Sequence, residues 1–304
     1  MRIVIAGGSG FLGRALAEHL VGRRHDVAIL TRTGHVSRAT GSRIVMWDPD
    51  GTAGTGGWAK EIDGADAVVN LAGAGIADKR WSRRRKEELR DSRVKSTRSL
   101  VAAVRAAAAK PSVFVQTSAV GFYGAGDQET DESFPPGDDF FAQLCVAWEA
   151  EAHPVTSLGC RLVIMRNGVV LFRTGGALKK MMPAFQFFVG GPIATGRQYM
   201  SWIHRADWLA MTTWAIETPA VSGVLNGTAP NPVTNAEFSK AIGRALHRPS
   251  WLPVPALALR IMVGELANYA LIRGQRVVPK HALAGGFTFQ YPDIGAAAEA
   301  AINQ

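Results

Sequence analysis

Residues 2–22 read RIVIAGGSGFLGRALAEHLVG, and this stretch decides the fold. A short apolar run ends in glycines, and apolar residues then recur at helical spacing at Leu12, Leu16 and Leu20. We therefore predict a buried strand, a glycine turn and an amphipathic helix. Such a turn lets a pyrophosphate approach the backbone, because the helix N-terminus offers it free N–H groups.

The glycines permit two assignments. Gly8, Gly10 and Gly13 fit GxGxxG, whereas Gly7, Gly10 and Gly13 fit GxxGxxG. In either one, a glycine makes the tight turn, another admits the pyrophosphate, and a third lets the helix pack on the strand. We expect dinucleotide contacts from Gly7, Ser9, Gly10, Phe11, Leu12 and Gly13.

The next part of the chain alternates apolar strands with helical segments. The strand candidates are DVAILTR, RIVMWD, ADAVVNLAG, PSVFVQTSA and CRLVIMRNG, and helices are predicted over about 82–108 and over 140–152. Strands that alternate with helices favour a parallel sheet covered on both faces. The predicted fold class is α/β, a Rossmann doubly wound sheet.

After residue 167 the alternation weakens, and glycine and proline interrupt the pattern. One further helix and strand, within 200–230, are typical of the first unit. We predict an NADP-binding domain of residues 1–167 that also takes 200–230. The remaining segments, 168–199 and 231–304, are predicted to form a smaller interleaved region that covers the substrate.

The end of the second strand indicates which cofactor is bound. A carboxylate there would hydrogen-bond the ribose 2′-OH of NAD, but the sequence reads LTRTGH. Thr31, Arg32 and Thr33 offer a fork-shaped cation and two hydroxyls, which suit a 2′-phosphate. We therefore predict NADP(H) as the cofactor. Asp48, just past the third strand, is a candidate for the adenine edge.

Composition excludes several other classes of protein. The chain has 304 residues, 47% hydrophobic and 19% charged, which is ordinary for a globular protein. Its two cysteines, Cys145 and Cys160, form no CxxC pair, so we expect neither a disulfide framework nor a metal site. The start has no secretion signal, and charged residues interrupt every long apolar stretch, so we expect a cytoplasmic protein with no membrane partner.

A formal net charge of +9 raises the question of nucleic acid. Much of this charge lies in residues 79–98, where Glu87, Glu88 and Asp91 are mixed with the basic residues. The same helix carries an apolar stripe, and no nucleic-acid motif accompanies it. We interpret the basic residues as a solvated helix face and predict no nucleic-acid partner.

Several motifs resemble the extended short-chain dehydrogenase/reductases of the NAD-dependent epimerase/dehydratase type. They are the glycine loop, NLAG (70–73), SAVGFYG (118–124) and SWIHRADW (201–208). An atypical subfamily is more similar still, over nearly the whole chain. Its motifs are NLAGAGIADKRW, LCVAWE, GGPIATGRQYMSWIHRAD, NGTAPNPVTNAEF and GQRVVPKHALAGGFTFQYP. Members are often labelled sugar-nucleotide epimerases or cell-division inhibitors.

The resemblance implies roles for residues that the pattern alone leaves open. Asn70, Ala72 and Gly73 would line the nicotinamide-ribose side of the cofactor. Arg80 would reach the cofactor phosphates, although a surface charge at the start of a basic helix explains it equally well.

The resemblance also implies a Ser/Thr–Tyr–Lys catalytic set, with tyrosine and lysine spaced YxxxK on a helix. The segment in that position, FAQLCVAWEAEA, contains neither residue, whether Leu144 and Trp148 or Cys145 and Glu149 occupy the pair. An ungapped match on Tyr123 places an alanine at the hydroxyl position, so Ser118 serves only after a one-residue shift. The substitutes, in order, are Ser118, Tyr123, Glu149 and Cys145.

Two functions remain open from the sequence. The first is an NADP(H)-dependent oxidoreductase or epimerase-like enzyme that acts on a small substrate with non-standard acid/base residues. The second is an NADP(H)-binding sensor without turnover, which the missing YxxxK pair favours. A nucleic-acid binder ranks far behind both. Either a monomer or a homodimer is compatible with the sequence.

Overall fold

The computed structural model describes residues 1–32, 41–52 and 57–303. Within these ranges the strands are β1 Arg2–Ala6, β2 Asp26–Thr31, β3 Arg43–Met46, β4 Ala67–Asn70, β5 Val113–Ala119, β6 Gly126–Thr130, β7 Arg161–Asn167, β8 Val169–Leu171, β9 Tyr199–Met200, β10 Trp202–His204, β11 Gly223–Gly227, β12 Val233–Thr234 and β13 Gln275–Val277. The helices are α1 Phe11–Gly22, α2 Arg83–Ala106, α3 Phe140–Ala150, α4 Gly176–Gln186, α5 Arg205–Glu217, α6 Asn235–Ala245, α7 Ala256–Val263, α8 Leu266–Ala270, α9 Lys280–Ala284 and α10 Ile294–Asn303.

The main sheet has the order β11-β7-β5-β4-β1-β2-β3 in the described part of the chain, and all its strand pairs are parallel. The strand order reverses at β1, because β2 lies on one side of it and β4 on the other. A crevice forms at such a switch point, outside the carboxyl ends of the strands, and ligands bind there. The predicted doubly wound α/β fold is confirmed.

Helices cover both faces of the sheet, and alternate residues of β1 show this arrangement. Ile3 packs in a cluster with Leu16 of α1 and Trp208 of α5. Val4 points to the opposite face and packs in a cluster with Leu100 of α2. Because each side chain is removed from water, each contributes on the order of 1.5–3 kcal/mol to folding.

The helix predictions from periodicity were close to the observed bounds. The predicted helix over 82–108 is Arg83–Ala106, and Ser82 caps it by accepting a hydrogen bond from the backbone N–H of Arg85. The predicted helix over 140–152 is Phe140–Ala150, capped by Asp139. None of the helices in the described ranges has the length and apolarity that a membrane crossing requires.

The C-terminal third packs around its own apolar cluster, which includes Trp202, Phe238 and residues of α4, α6 and α10. It also contributes β13, which pairs with β6 in a small separate sheet that the sequence did not predict. The main sheet takes all its described strands from residues 2–167 and 223–227. The division of the chain into two interleaved domains stays a prediction.

Candidate functional site

The glycine loop forms a cradle at the carboxyl end of β1. Gly7 has a φ of 76°, which favours glycine, and a Cβ on it would lie 2.8 Å from the backbone nitrogen of Ala72. Gly10 is exposed, and a Cβ on it would meet only the carbonyl oxygen of Gly7, at 3.3 Å. On Gly13, a Cβ would lie 2.5 Å from the Cα of Gly8.

These contacts choose between the two glycine assignments. Gly7 makes the turn, Gly10 leaves the backbone open to a ligand, and Gly13 allows α1 to pack closely on the loop, as GxxGxxG requires. Gly8 has a different role, since a Cβ there would lie 2.5 Å from the side chain of Ile29. It lets the loop pack against β2.

The N-terminus of α1 faces this cradle without a cap of its own. Gly10 is the N-cap residue, no side chain bonds the first turn, and that turn has no acidic residue. The first N–H groups of a helix have no intrahelical acceptor and carry the positive end of the helix dipole. The cradle therefore fits an anionic group such as a pyrophosphate. Ser9, Phe11 and Leu12 are half-buried around it.

The NLAG turn lies directly behind Gly7, and its asparagine is committed to the protein. The Asn70 amide donates to Thr97 Oγ1 at 2.9 Å and to Gln116 Oε1 at 3.0 Å, and its Oδ1 accepts from the backbone N–H of Ala72 at 3.1 Å. Asn70 thus holds the turn with an inward-facing side chain. Ala72 is also buried, and Gly73 presents exposed backbone.

Arg32 follows β2 as an exposed side chain. The pKa of the Glu88 carboxyl is lowered, first by a hydrogen bond from Arg85 and then by the charges of Arg85, Lys79 and Arg32. Arg32 therefore shares an electrostatic environment with a basic hollow of about 490 Å³. This hollow is lined by Lys79, Arg80, Ser82, Arg84, Arg85 and Glu88.

Three further residues were predicted to contact the cofactor, and the structure describes two of them. Arg80 is exposed in the hollow, and its side chain lies against Gly264. Asp48 is exposed just after β3. Thr33, which was expected to help bind a 2′-phosphate, lies outside the described residues.

Two arginines of α2 point inward, which corrects the interpretation of this helix as a solvated basic face. Arg85 donates to the carbonyl oxygen of Gly75, and Arg93 donates to that of Ala74 at 3.1 Å. Burial lowers the pKa of Arg93 to about 10. Buried guanidinium N–H groups need acceptors, and here the carbonyl oxygens of the loop after β4 supply them. The two arginines therefore hold this loop in place.

The position expected for YxxxK holds a buried ion pair. Glu149 of α3 faces Arg166 of β7, with Nε–Oε1 at 3.0 Å and Nη2–Oε2 at 2.8 Å. Ser118 donates from its hydroxyl to Oε1 of Glu149 at 2.6 Å. All three side chains are buried, so both oxygens of the carboxylate are occupied within the protein. Arg166 was not among the residues predicted from the sequence.

Tyr123 extends this network toward β11. Its hydroxyl accepts a hydrogen bond from Arg166 Nη1 at 3.0 Å and donates to Asn226 Oδ1 at 2.7 Å. Burial raises the pKa of the phenol, and the Arg166 charge and the hydrogen bonds only partly offset this effect. Burial is the largest single influence on the pKa of Arg166 and lowers it, but the hydrogen bonds and charges of Glu149 and Tyr123 together outweigh burial, so the net shift is upward. The tyrosine is therefore a phenol beside a permanent cation.

Cys145 lies one turn before Glu149 and is buried. Desolvation raises the pKa of its thiol to about 12, the Glu149 charge adds to this, and the nearby Arg93 charge does not compensate. Its sulfur lies 3.8 Å from the Ala119 carbonyl oxygen. A thiol in this state is a poor nucleophile.

His204 caps α5. Its Nδ1 accepts from the backbone N–H of Ala206 at 3.1 Å, and burial lowers its pKa to about 4. The imidazole is thus neutral at physiological pH. Ser201 is also buried: its hydroxyl donates to the carbonyl oxygen of Gln275 and accepts from the backbone N–H of Val277.

Comparison with known proteins agrees with this geometry. The family model described as NAD dependent epimerase/dehydratase family matches residues 3–226. This chain belongs to that family. A second model, a domain of unknown function called DUF1731, matches residues 254–301.

Relatives resemble the chain over its whole length. An epimerase family protein of Mycobacterium bovis is 41% identical, and the match covers 97% of this chain and 95% of that protein. The crystal structure of the human epimerase family protein SDR39U1 with NADPH has a TM-score of 0.89 at 35% identity, covering 100% of this chain and 99% of that one. A nucleoside-diphosphate sugar epimerase of Corynebacterium glutamicum has a TM-score of 0.79 at 32% identity, covering 99% and 57%.

Proposed function

We propose that this family member binds NADP(H) and acts as an oxidoreductase or epimerase-like enzyme on a small substrate. The observation that carries the proposal is the uncapped N-terminus of α1 above the Gly7–Gly10–Gly13 cradle. It supplies unpaired N–H donors at the switch point of the sheet, where a dinucleotide pyrophosphate is held. The description of the family as NAD dependent supports a nicotinamide dinucleotide.

A preference for the phosphorylated cofactor rests on charge. Arg32 stands where a ribose-binding carboxylate would select NAD, and the basic hollow continues this positive surface. Arg80 and Lys79 in the hollow are candidates to contact phosphate. The human relative solved with NADPH supports the same cofactor.

For the chemical step we propose Tyr123 as the proton donor. When bound, the nicotinamide supplies or accepts a hydride, so the protein has to move a proton at the substrate oxygen. Tyr123 keeps its proton at neutral pH, and Arg166 lies 3.0 Å from its hydroxyl as a fixed cation. That pair takes the place of tyrosine and lysine. Ser118 and Glu149 are then positioning residues that orient Arg166, and Cys145 is packing.

The sensor without turnover stays as a second candidate because of one specific observation. Every polar atom of Ser118 and Glu149 that could reach a substrate already bonds another buried group. An NADP(H)-binding protein whose cleft carries no free acid/base group would report cofactor level without chemistry.

Turnover separates the two candidates. The protein is incubated with NADPH and a panel of aldehydes, ketones and sugar nucleotides, while cofactor absorbance is followed. The enzyme proposal predicts oxidation of NADPH, a loss of about 10²-fold or more in rate for Tyr123→Phe, and an unchanged rate for the control Tyr291→Phe. Tight NADPH binding without turnover across the panel would favour the sensor.

Two further properties stay predictions, namely the cytoplasmic location and a monomer or homodimer. Light scattering after size exclusion tests the oligomeric state.

A further inference from the structure

The exposed apolar side chains of this protein are concentrated in two segments. Eight of the twelve exposed large hydrophobic residues in the described ranges lie after α4, or before and on α7. The most exposed are Phe187 at 77%, Trp251 at 75% and Met262 at 71%. We call the set the apolar surface, and it consists of Phe187, Phe188, Val189, Trp251, Leu252, Leu257, Ile261 and Met262.

Backbone contacts join the two segments into one region. The N–H of Val254 donates to Pro192 at 2.8 Å, and the N–H of Ala194 donates to Val254 at 2.9 Å. The Arg248 guanidinium lies 5.0 Å from the centre of the Phe188 ring. The loop after α4 and the segment before α7 are therefore neighbours.

The apolar surface carries two unfavourable features, which are apolar side chains in contact with water and a strained backbone conformation at Phe188. None of the residues of α7 is buried, although six of its eight side chains are Ala, Leu, Ile or Met. Phe188 has a φ of 63°, a left-handed conformation that costs a bulky residue on the order of 1–3 kcal/mol. A strained turn that presents phenylalanines to solvent is typical of a contact site.

The charged residues within the two segments of the apolar surface are all basic. The sequence has no Asp or Glu in 152–206 or in 238–264, the two segments that carry the whole surface. Lys179, Lys240, Arg244 and Arg248 are exposed there, and none forms an ion pair with another described residue. The region therefore combines aromatic side chains with unpaired cations.

We propose that the apolar surface binds anionic lipid bilayers as a peripheral contact. Aromatic rings sit at the headgroup level of a bilayer, and nearby lysines and arginines are attracted to anionic lipids. This proposed contact is with the surface of a membrane, distinct from a crossing, and it goes beyond the prediction of no membrane partner. A second copy fits less well, because two equally basic rims would face each other.

The test is co-sedimentation with vesicles, using the full chain. Vesicles of phosphatidylcholine alone are compared with vesicles in which phosphatidylglycerol replaces a third of the lipid. We expect binding to the anionic vesicles that is roughly tenfold tighter than to the neutral ones and that weakens with salt. No binding to the anionic vesicles would overturn the proposal.

Matched variants locate the contact. Phe187→Ser with Phe188→Ser, and separately Arg244→Glu with Arg248→Glu, should each weaken binding about tenfold or more. The controls are Leu283→Ser and the pair Arg105→Glu with Lys110→Glu, all exposed away from the surface, and they should bind as the native protein does. Equal loss in the controls, or a dimer that the phenylalanine variant converts to monomer, would contradict the proposal.

Trp251 gives a second readout, which starts from the fluorescence of the native protein. Six of the other seven tryptophans are buried and Trp214 is half-buried, whereas Trp251 is 75% exposed. Brominated lipids in the anionic vesicles should quench native fluorescence, and Trp251→Phe should lose that quenching. Quenching that persists in Trp251→Phe would place the contact elsewhere.

Discussion

The glycine cradle and the buried network around Glu149 lie at the same edge of the sheet, and they differ in what completes them. The cradle comes from one stretch, residues 7–13, and leaves helix N–H donors for a ligand. The network joins four distant segments through Ser118, Tyr123, Glu149 and Arg166, and satisfies its groups internally. The difference teaches that a single short stretch leaves backbone donors open to an anionic ligand, whereas the four-segment network closes its polar groups on one another.

The largest expected effect comes from breaking the network. Glu149→Ala leaves the Arg166 cation buried without its partner, which should lower the free energy of unfolding by about 3–5 kcal/mol. Denaturant unfolding measures it. Glu151→Ala is the control, because Glu151 pairs with the exposed Arg98 and should cost only about 0–1 kcal/mol. Equal losses in the two variants would refute a buried ion pair.

Disturbing the cradle should lower the free energy of unfolding less than breaking the network does, but it should weaken NADPH binding more. In Gly13→Ala the new Cβ would meet the Gly8 Cα, so we expect a loss of about 1–3 kcal/mol in stability and no thermal stabilisation by NADPH. Gly22→Ala is the control in the same helix. A Cβ at position 22 would have no other atom within 4 Å, so this variant should gain up to about 1 kcal/mol in the free energy of unfolding. Normal NADPH binding by Gly13→Ala would argue against the cradle.

Cofactor selectivity should depend on Arg32 without affecting the fold. Arg32→Ala removes a cation that we place at the 2′-phosphate, so NADPH affinity should fall about tenfold or more while NADH affinity is unchanged. Thermal shifts with each cofactor give the comparison, and the exposed Arg105→Ala serves as control. An unaltered NADPH response would remove Arg32 from the site.

The smallest effect is expected at Cys145. Its raised thiol pKa of about 12 means that the reactive thiolate is scarce at pH 8, so iodoacetamide should not label it in the folded protein. Mass spectrometry after labelling checks this, with urea-unfolded protein as the reactive reference. Rapid labelling of the folded protein that Cys145→Ser abolishes would show that the network is open to solvent.

Local pattern was sufficient for the fold. The glycine loop, α2 and α3 were placed from residues close in sequence, because periodicity and turn chemistry are local properties. Choosing Gly7 over Gly8 for the turn required coordinates, since the two glycines differ only in φ and in what a Cβ would meet.

The site was less accessible to sequence reasoning. Arg166 lies near the end of an apolar strand, and only tertiary packing decides that it faces Glu149 of α3. A signal was nevertheless present, because an arginine within the buried strand RLVIMRN needs a carboxylate or carbonyl partner. Arg85 and Arg93 are likewise buried arginines that need acceptors, but the many basic residues of α2 gave no sign of which ones face inward.

The proposed function depends on a cradle that holds the pyrophosphate of NADP(H) and on Arg32, which selects the 2′-phosphate. Calorimetric titration of the native protein with NADPH and with NADH tests it most directly. We predict a Kd for NADPH that is lower than that for NADH by about tenfold or more. Equal Kd values, or no binding of either cofactor, would contradict it.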